Sequence, residues 1–263
     1  MPQPEVSDTA VTKKTIIPLV GATLTLSVFL LMSIFASQSL VYYATFLAFF
    51  FVLFLVILLF ARFEESAISS KEVALVGILA AITAAARIPF AALPNIQPCT
   101  FLIIATGIVF GPLTGVMVGS MTAAVSNMFL GQGPWTVWQM AGWGMVGLLS
   151  GFIGKRRPQI GPLGIAVLGA IFGMVYNTLM DFSSWVWLYG LDPAKFLAVF
   201  SLGLPFGIVH SVGNVVFALA LGKPVLFAFR RFQRRFHVAY AEDGPAKAPV
   251  GAGATESAGG KAT

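Results

Sequence analysis

Charge is scarce in this chain. Only 10% of its 263 residues are Asp, Glu, Lys or Arg, where a soluble domain carries about a quarter. With 57% hydrophobic residues and a mean hydropathy of +0.88, that deficit excludes a water-soluble domain and leaves a polytopic membrane protein. Cysteine is almost missing as well. The single Cys99 excludes an intrachain disulfide and a cysteine-rich metal site. The two histidines, His210 and His237, are far apart, so no histidine metal cluster is expected and no cofactor is assigned. A phosphate-cradling P-loop is absent. The nearest stretch, "LSGFIGKRR", has Leu149 where the first glycine belongs and Arg156 where Ser or Thr belongs. No H-E-x-x-H, G-x-S-x-G or paired carboxylates appear, so no catalytic residues are assigned and no enzyme is expected. The net charge of +6 does not indicate nucleic acid, because the basic residues punctuate apolar runs.

What is present is a succession of such runs. Residues 1–14 form a polar tail ending in Lys13 and Lys14. Residues 15–62 hold two apolar runs and are predicted as a transmembrane hairpin. The first run, 15–36, resembles a signal peptide but is long for one and lacks a clear cleavage site, so it reads as a retained span. A charged hinge at 63–71 follows, with Glu64, Glu65 and Lys71. Further runs at 72–92, 98–111, 113–130, 135–154, 163–188 and 196–222 make a six-helix body over 72–229. The run at 98–111 is short, fitting either a short helix or half of a re-entrant pair with 113–130. Residues 230–263 are basic and then Gly/Ala-rich, a tail predicted to be disordered from 241. The expectation is an all-α membrane protein of about eight membrane helices.

Lysine and arginine set the orientation. With the N-terminus in the cytoplasm, Lys155, Arg156, Arg157, Lys223, Arg230, Arg231, Arg234 and Arg235 all fall inside. Both termini are then cytoplasmic, and the "GQGP" turn at 131–134 is outside.

The polar residues of the spans gather toward that outer side. Trp135, Gln139 and Trp143 are spaced by four, so they share a helix face, with Trp138 beside it. Asn127 and Gln132 flank the turn. Gly147 and Gly151 lower on the same helix permit close packing. The next helix repeats the pattern with Asn177, Asp181 and Trp185, and the last carries His210 and Asn214. Asp181 is the only acidic residue deep within a span, where an ionisable group faces a cavity or a partner. The loop "RIPFAALPNIQP" at 87–98 has three prolines and reads as a stiff lid carrying Arg87, Asn95 and Gln97. Each feature also has a plainer reading. Trp135, Trp185, Trp187 and Tyr189 suit an interfacial belt. Asn177, Asn214 and His210 suit interhelical hydrogen bonding, and Asp181 suits a bridge to Arg87. A pocket open to the outside accounts for the one-sided bias. Its predicted substrate-binding residues are Asn95, Asn127, Gln132, Trp135, Trp138, Gln139, Trp143, Asn177, Asp181 and His210.

The stretch "ALVGILAAITAAARIPF", the proline-bearing loop, and "PCTFLIIATGIVFGPLTGVMVGSMTAAVSNMFLGQGPWTVWQMAGWGMVGLLSGFIG" resemble the S components of energy-coupling factor (ECF) transporters. The resemblance covers about 72–229, and "GQGPWTxWQM" is similar to a cobalamin-type branch. It implies a multi-pass protein of a prokaryotic cell membrane that captures a vitamin-like solute from outside. It also implies delivery together with a transmembrane T component and two cytosolic ATPases. An Ala-rich face on the first body helix, here Gly77, Ala80, Ala81, Ala84 and Ala85, is implied to dock the T component. The same residues also suit packing within the body.

Two other classes are carried beside it: an ion- or proton-coupled secondary transporter using Asp181 and His210, and an intramembrane enzyme with Asp181 as base. Among substrates, cobalamin is favoured. Thiamine, a cation that Asp181 would select, is the chemical rival.

Overall fold

The computed structural model describes residues 70–190 and 192–242, with isolated positions between 20 and 61. The tail at 1–14, the cleavage question, the two-span hairpin and the segment 243–263 therefore lie outside the described residues, save those isolated positions. The described residues form six helices, which we number α1 (Ser70–Arg87), α2 (Cys99–Phe110), α3 (Pro112–Leu130), α4 (Trp135–Arg156), α5 (Pro162–Tyr189) and α6 (Pro193–Glu242). A single 3-10 turn, Ile88–Phe90, follows α1.

α2 is the hub. It is apolar all round, and eleven of its twelve residues are buried, as expected of a helix surrounded by others. It touches each of the other five helices. At 12 residues it is about 18 Å long, too short for roughly 30 Å of hydrocarbon. The run at 98–111 is thus a short internal helix. Its first turn is buried, so its N–H groups need partners within the protein. Pro98, its N-cap, offers no side-chain cap. Asn214 on α6 supplies one: its Oδ1 accepts from the Phe101 N–H at 3.1 Å, and its Nδ2 donates to the His210 carbonyl at 2.9 Å.

Among the described residues, four helical segments are long and apolar enough to cross a membrane: Lys71–Phe90, Pro112–Leu130, Pro162–Tyr189 and Pro193–Arg234. α4 is long enough at 22 residues, but its Trp, Gln and Gly content lowers its apolarity. The six helices match the expected six-helix body, and α2 is the short helix among them.

Glycines permit the tightest contact. A Cβ on Gly147 of α4 would collide with the Gly115 backbone of α3, and one on Gly151 with Pro112. The smooth half of α4 therefore lies directly on the start of α3. That contact ties the end of α4 bearing Lys155 and Arg156 to the Gly111 joint between α2 and α3. We call this the basic end. The opposite end carries the 131–134 turn and is called the turn end. α6 runs unbroken for 50 residues despite Pro205 and Pro224, about 75 Å, and so continues through the basic segment after 229.

Candidate ligand pocket

Between α1, α4, α5, α6 and the 91–98 loop lies a cavity of about 210 Å³. It is lined by Arg87, Asn95, Gln97, Trp135, Gln139 and Trp143, together with Tyr176, Asn177, Met180, Ser183, Ser184 and His210. Helical spacing by four brings Trp135, Gln139 and Trp143 onto its wall.

The floor is a directed hydrogen-bond chain. The Trp143 indole N–H donates to Thr100 Oγ1 at 2.9 Å. Thr100 Oγ1 lies 3.0 Å from His210 Nε2, and His210 Nδ1 lies 2.9 Å from the Asn95 carbonyl. A carbonyl only accepts, so Nδ1 carries the proton. In the neutral ring Nε2 then accepts from the Thr100 hydroxyl, whose lone pairs serve Trp143. The Trp143 ring stacks on Tyr176 with centroids 4.7 Å apart and planes 6° from parallel. Five separate segments are thereby locked together beneath the cavity.

The loop is fastened at one residue. Asn95 has φ 55°, a left-handed conformation that asparagine tolerates better than most residues. Its Nδ2 donates to Asn177 Oδ1 at 2.9 Å and to the Phe206 carbonyl at 3.3 Å.

A second network holds Arg87. Its Nε donates to Gln97 Oε1 at 2.8 Å, and its Nη1 donates to Ser126 Oγ and Asn127 Oδ1, each at 2.7 Å. Asn127 Nδ2 donates onward to Thr136 Oγ1 and Gln139 Oε1. Arg87 is buried, yet among the described residues its hydrogen-bond partners are all neutral, and Nη2 makes no hydrogen bond. The Gln139 amide nitrogen is also unengaged, because only its oxygen is bonded. The cavity thus presents one cation and an amide donor beside an aromatic wall.

Six of the residues expected at a pocket line this one: Asn95, Trp135, Gln139, Trp143, Asn177 and His210. Four do not. Asn127 lies behind it, holding Arg87 and Gln139. Gln132 bonds the Ala124 carbonyl and Thr136 at the turn. Trp138 packs on Val186 and Phe182. Asp181 accepts from Asn177 Nδ2 at 3.0 Å and abuts Gly203; it makes no bridge to Arg87. Tyr176, Met180, Ser183 and Ser184 were missed. Asn177 and Asp181 marked their helix, and stepping by three or four from Asn177 would have reached Met180 and Ser184.

On α1, Ala80 and Ala84 are buried in the body, whereas Ala81 and Ala85 are exposed. Space beside Gly77 is open.

Helices of spanning length around a buried central helix define a multi-pass membrane protein. A family model described as ECF-type riboflavin transporter, S component, matches residues 67–226, and the chain belongs to that family. It is similar to a UPF0397 protein of Aliivibrio salmonicida (strain LFI1238), 28% identical over 102 residues, 36% of this chain and 55% of the relative. A UPF0397 protein of Aliivibrio fischeri (strain MJ11) is 29% identical over 123 residues, 42% of this chain and 67% of the relative. One of Vibrio atlanticus (strain LGP32) is 30% identical over 103 residues, 36% of this chain and 56% of the relative. The chain spans little more than half the length of the first of these relatives. No solved structure matches it.

Proposed function

We propose that the chain is the membrane-embedded, substrate-binding subunit of an ECF-type importer for a vitamin-like solute. The observation that carries this reading is the pocket itself, which combines an aromatic wall, neutral hydrogen-bonding groups and one buried cation without a carboxylate. The turn end faces outside and the basic end the cytoplasm, as the one-sided Lys/Arg pattern supports. A T component and two ATPases supply the power stroke, docking on the exposed Ala81 and Ala85 and the half-buried Gly77. Ala80 and Ala84 are withdrawn from that face because they are buried.

The cavity is smaller than the roughly 300–1,000 Å³ of ordinary ligand pockets. A vitamin therefore enters only as the 91–98 loop moves, with Asn95 as its latch. Cobalamin stays the first candidate. Its peripheral amides suit Asn95, Gln97, Gln139 and Asn177, and its single phosphodiester suits the single guanidinium of Arg87. Riboflavin, which the family description names, is smaller and neutral and is the main rival. Thiamine is disfavoured, since Asp181 does not line the cavity. The same position weakens the ion-coupled alternative.

Titration of the purified chain with cobalamin, riboflavin and thiamine tests the substrate. Transport assays with and without the T component and ATPases test the class. Transport by the chain alone would favour a secondary carrier.

A further inference from the structure

A second, larger cavity of about 510 Å³ lies at the basic end, on the seam between α5 and α6. Lys223, Arg230, Arg231 and Arg234 line it, with Leu226 and Phe227 between them. Steps of three, four and seven place these side chains on one face of α6. Its lining among the described residues includes no carboxylate.

Arg230 is already engaged. Its Nη2 donates to the Pro158 and Ile160 carbonyls at 3.0 and 2.8 Å, which fixes the loop before α5 as one wall. Lys223, Arg231 and Arg234 are exposed and make no hydrogen bond or ion pair among the described residues. The remaining wall is Gly161–Pro162, where α5 begins without a side-chain cap, so the positive end of a 28-residue helix adds to the same field. Unbalanced like charge at one place is unfavourable until an anion neutralises it.

The apolar surroundings indicate what kind of anion. Phe227 is 67% exposed and Leu163, one residue into α5 from Pro162, is 71% exposed. Such surface beside a cationic cluster on a membrane protein suits a ligand with an anionic head and hydrocarbon tails. We propose that this cavity binds the phosphate of an anionic phospholipid, with its acyl chains along Leu163 and Phe227. The site requires only that the chain spans a membrane, and it is independent of which solute the other pocket takes.

The experiment is native mass spectrometry of the full chain, delipidated in mild detergent and given phosphatidylglycerol, phosphatidylcholine of the same acyl chains, or glycerol 3-phosphate. Phosphatidylglycerol is expected to bind at least tenfold more tightly than phosphatidylcholine. Replacing three cations together, Lys223→Gln, Arg231→Gln and Arg234→Gln, should weaken it on the order of a hundredfold. If that variant does not fold, Arg231→Gln alone should weaken it several-fold. The control removes the same charge outside the cavity, with Lys155→Gln, Arg156→Gln and Arg157→Gln, and should leave the preference intact. Equal loss in both variants would mean a general basic surface and would overturn the site. Equal binding of the two lipids would do the same. Binding of glycerol 3-phosphate as tightly as the lipid would replace the lipid assignment with a simple phosphate site.

Discussion

The guanidinium of Arg87 lies 4.9 Å from the centre of the Trp143 ring, and none of its hydrogen-bond partners among the described residues is a carboxylate. A buried cation is costly unless paired. Here neutral oxygens and an aromatic face offset part of that cost. The rest is available to a ligand that brings an anionic group.

Arg87→Gln is therefore expected to weaken cobalamin binding by about 1.5–3 kcal/mol, the range for a hydrogen bond to a charged group. Riboflavin, which is neutral, should respond less. Isothermal titration of the variant with both vitamins checks this, and unchanged cobalamin affinity would remove Arg87 from the contact set.

The floor chain predicts a stability effect. Thr100→Val preserves shape but leaves the Trp143 N–H and His210 Nε2 without their shared partner. A loss of about 1–3 kcal/mol per orphaned group follows, measurable as a lower unfolding midpoint in detergent. The conservative Thr100→Ser should recover most of it.

Two glutamines separate pocket from turn. Gln139→Ala should weaken the ligand by about 0.5–1.5 kcal/mol, since it removes a neutral donor from the cavity. Gln132→Ala and Asp181→Asn should leave affinity nearly unchanged, because neither side chain lines the cavity. Binding curves for the three variants decide it. A large effect of Asp181→Asn would move the site toward the α5–α6 seam and revive a cationic ligand.

Legibility of the site followed helical spacing. Trp135, Gln139 and Trp143 could be placed together because one helix fixes their relative direction. Asp181 and Trp138 were misplaced for the complementary reason: the neighbour each one meets belongs to another helix, and the chain order does not say which. The turn at 131–134 was readable from its glycines and proline. The centrality of α2 was not. An apolar twelve-residue run looks alike whether lipid or protein surrounds it, and only the packing of the other helices around it decides which. Ala80 and Ala81 show the same limit, since adjacent small residues point to opposite environments.

The α1 face yields a further expectation. Ala81→Trp with Ala85→Trp should abolish assembly with the T component while leaving ligand affinity within about twofold, because both side chains are exposed and neither lines the pocket. Ala80→Trp should instead disrupt the body, since it overpacks a buried position at a cost of about 1–3 kcal/mol or more. Co-purification and ligand titration separate the two outcomes.

Orientation is open to direct labelling. Gln132 and Arg157 are both exposed, at opposite ends. On a Cys99→Ser background, Gln132→Cys should react with an impermeant thiol reagent in intact cells and Arg157→Cys only after lysis. The reverse pattern would invert the proposed topology.

The bond between Asn214 and the Phe101 amide also imposes an order on biosynthesis. The two residues are 113 positions apart. At roughly 5–20 residues per second of synthesis, the start of α2 waits on the order of 6–20 seconds for its cap. During that interval the Phe101 N–H at the start of a short apolar helix is without its Asn214 partner. The last helix is thus what closes the fold, and a chain truncated before residue 214 is expected to be degraded rather than to persist as a smaller membrane protein.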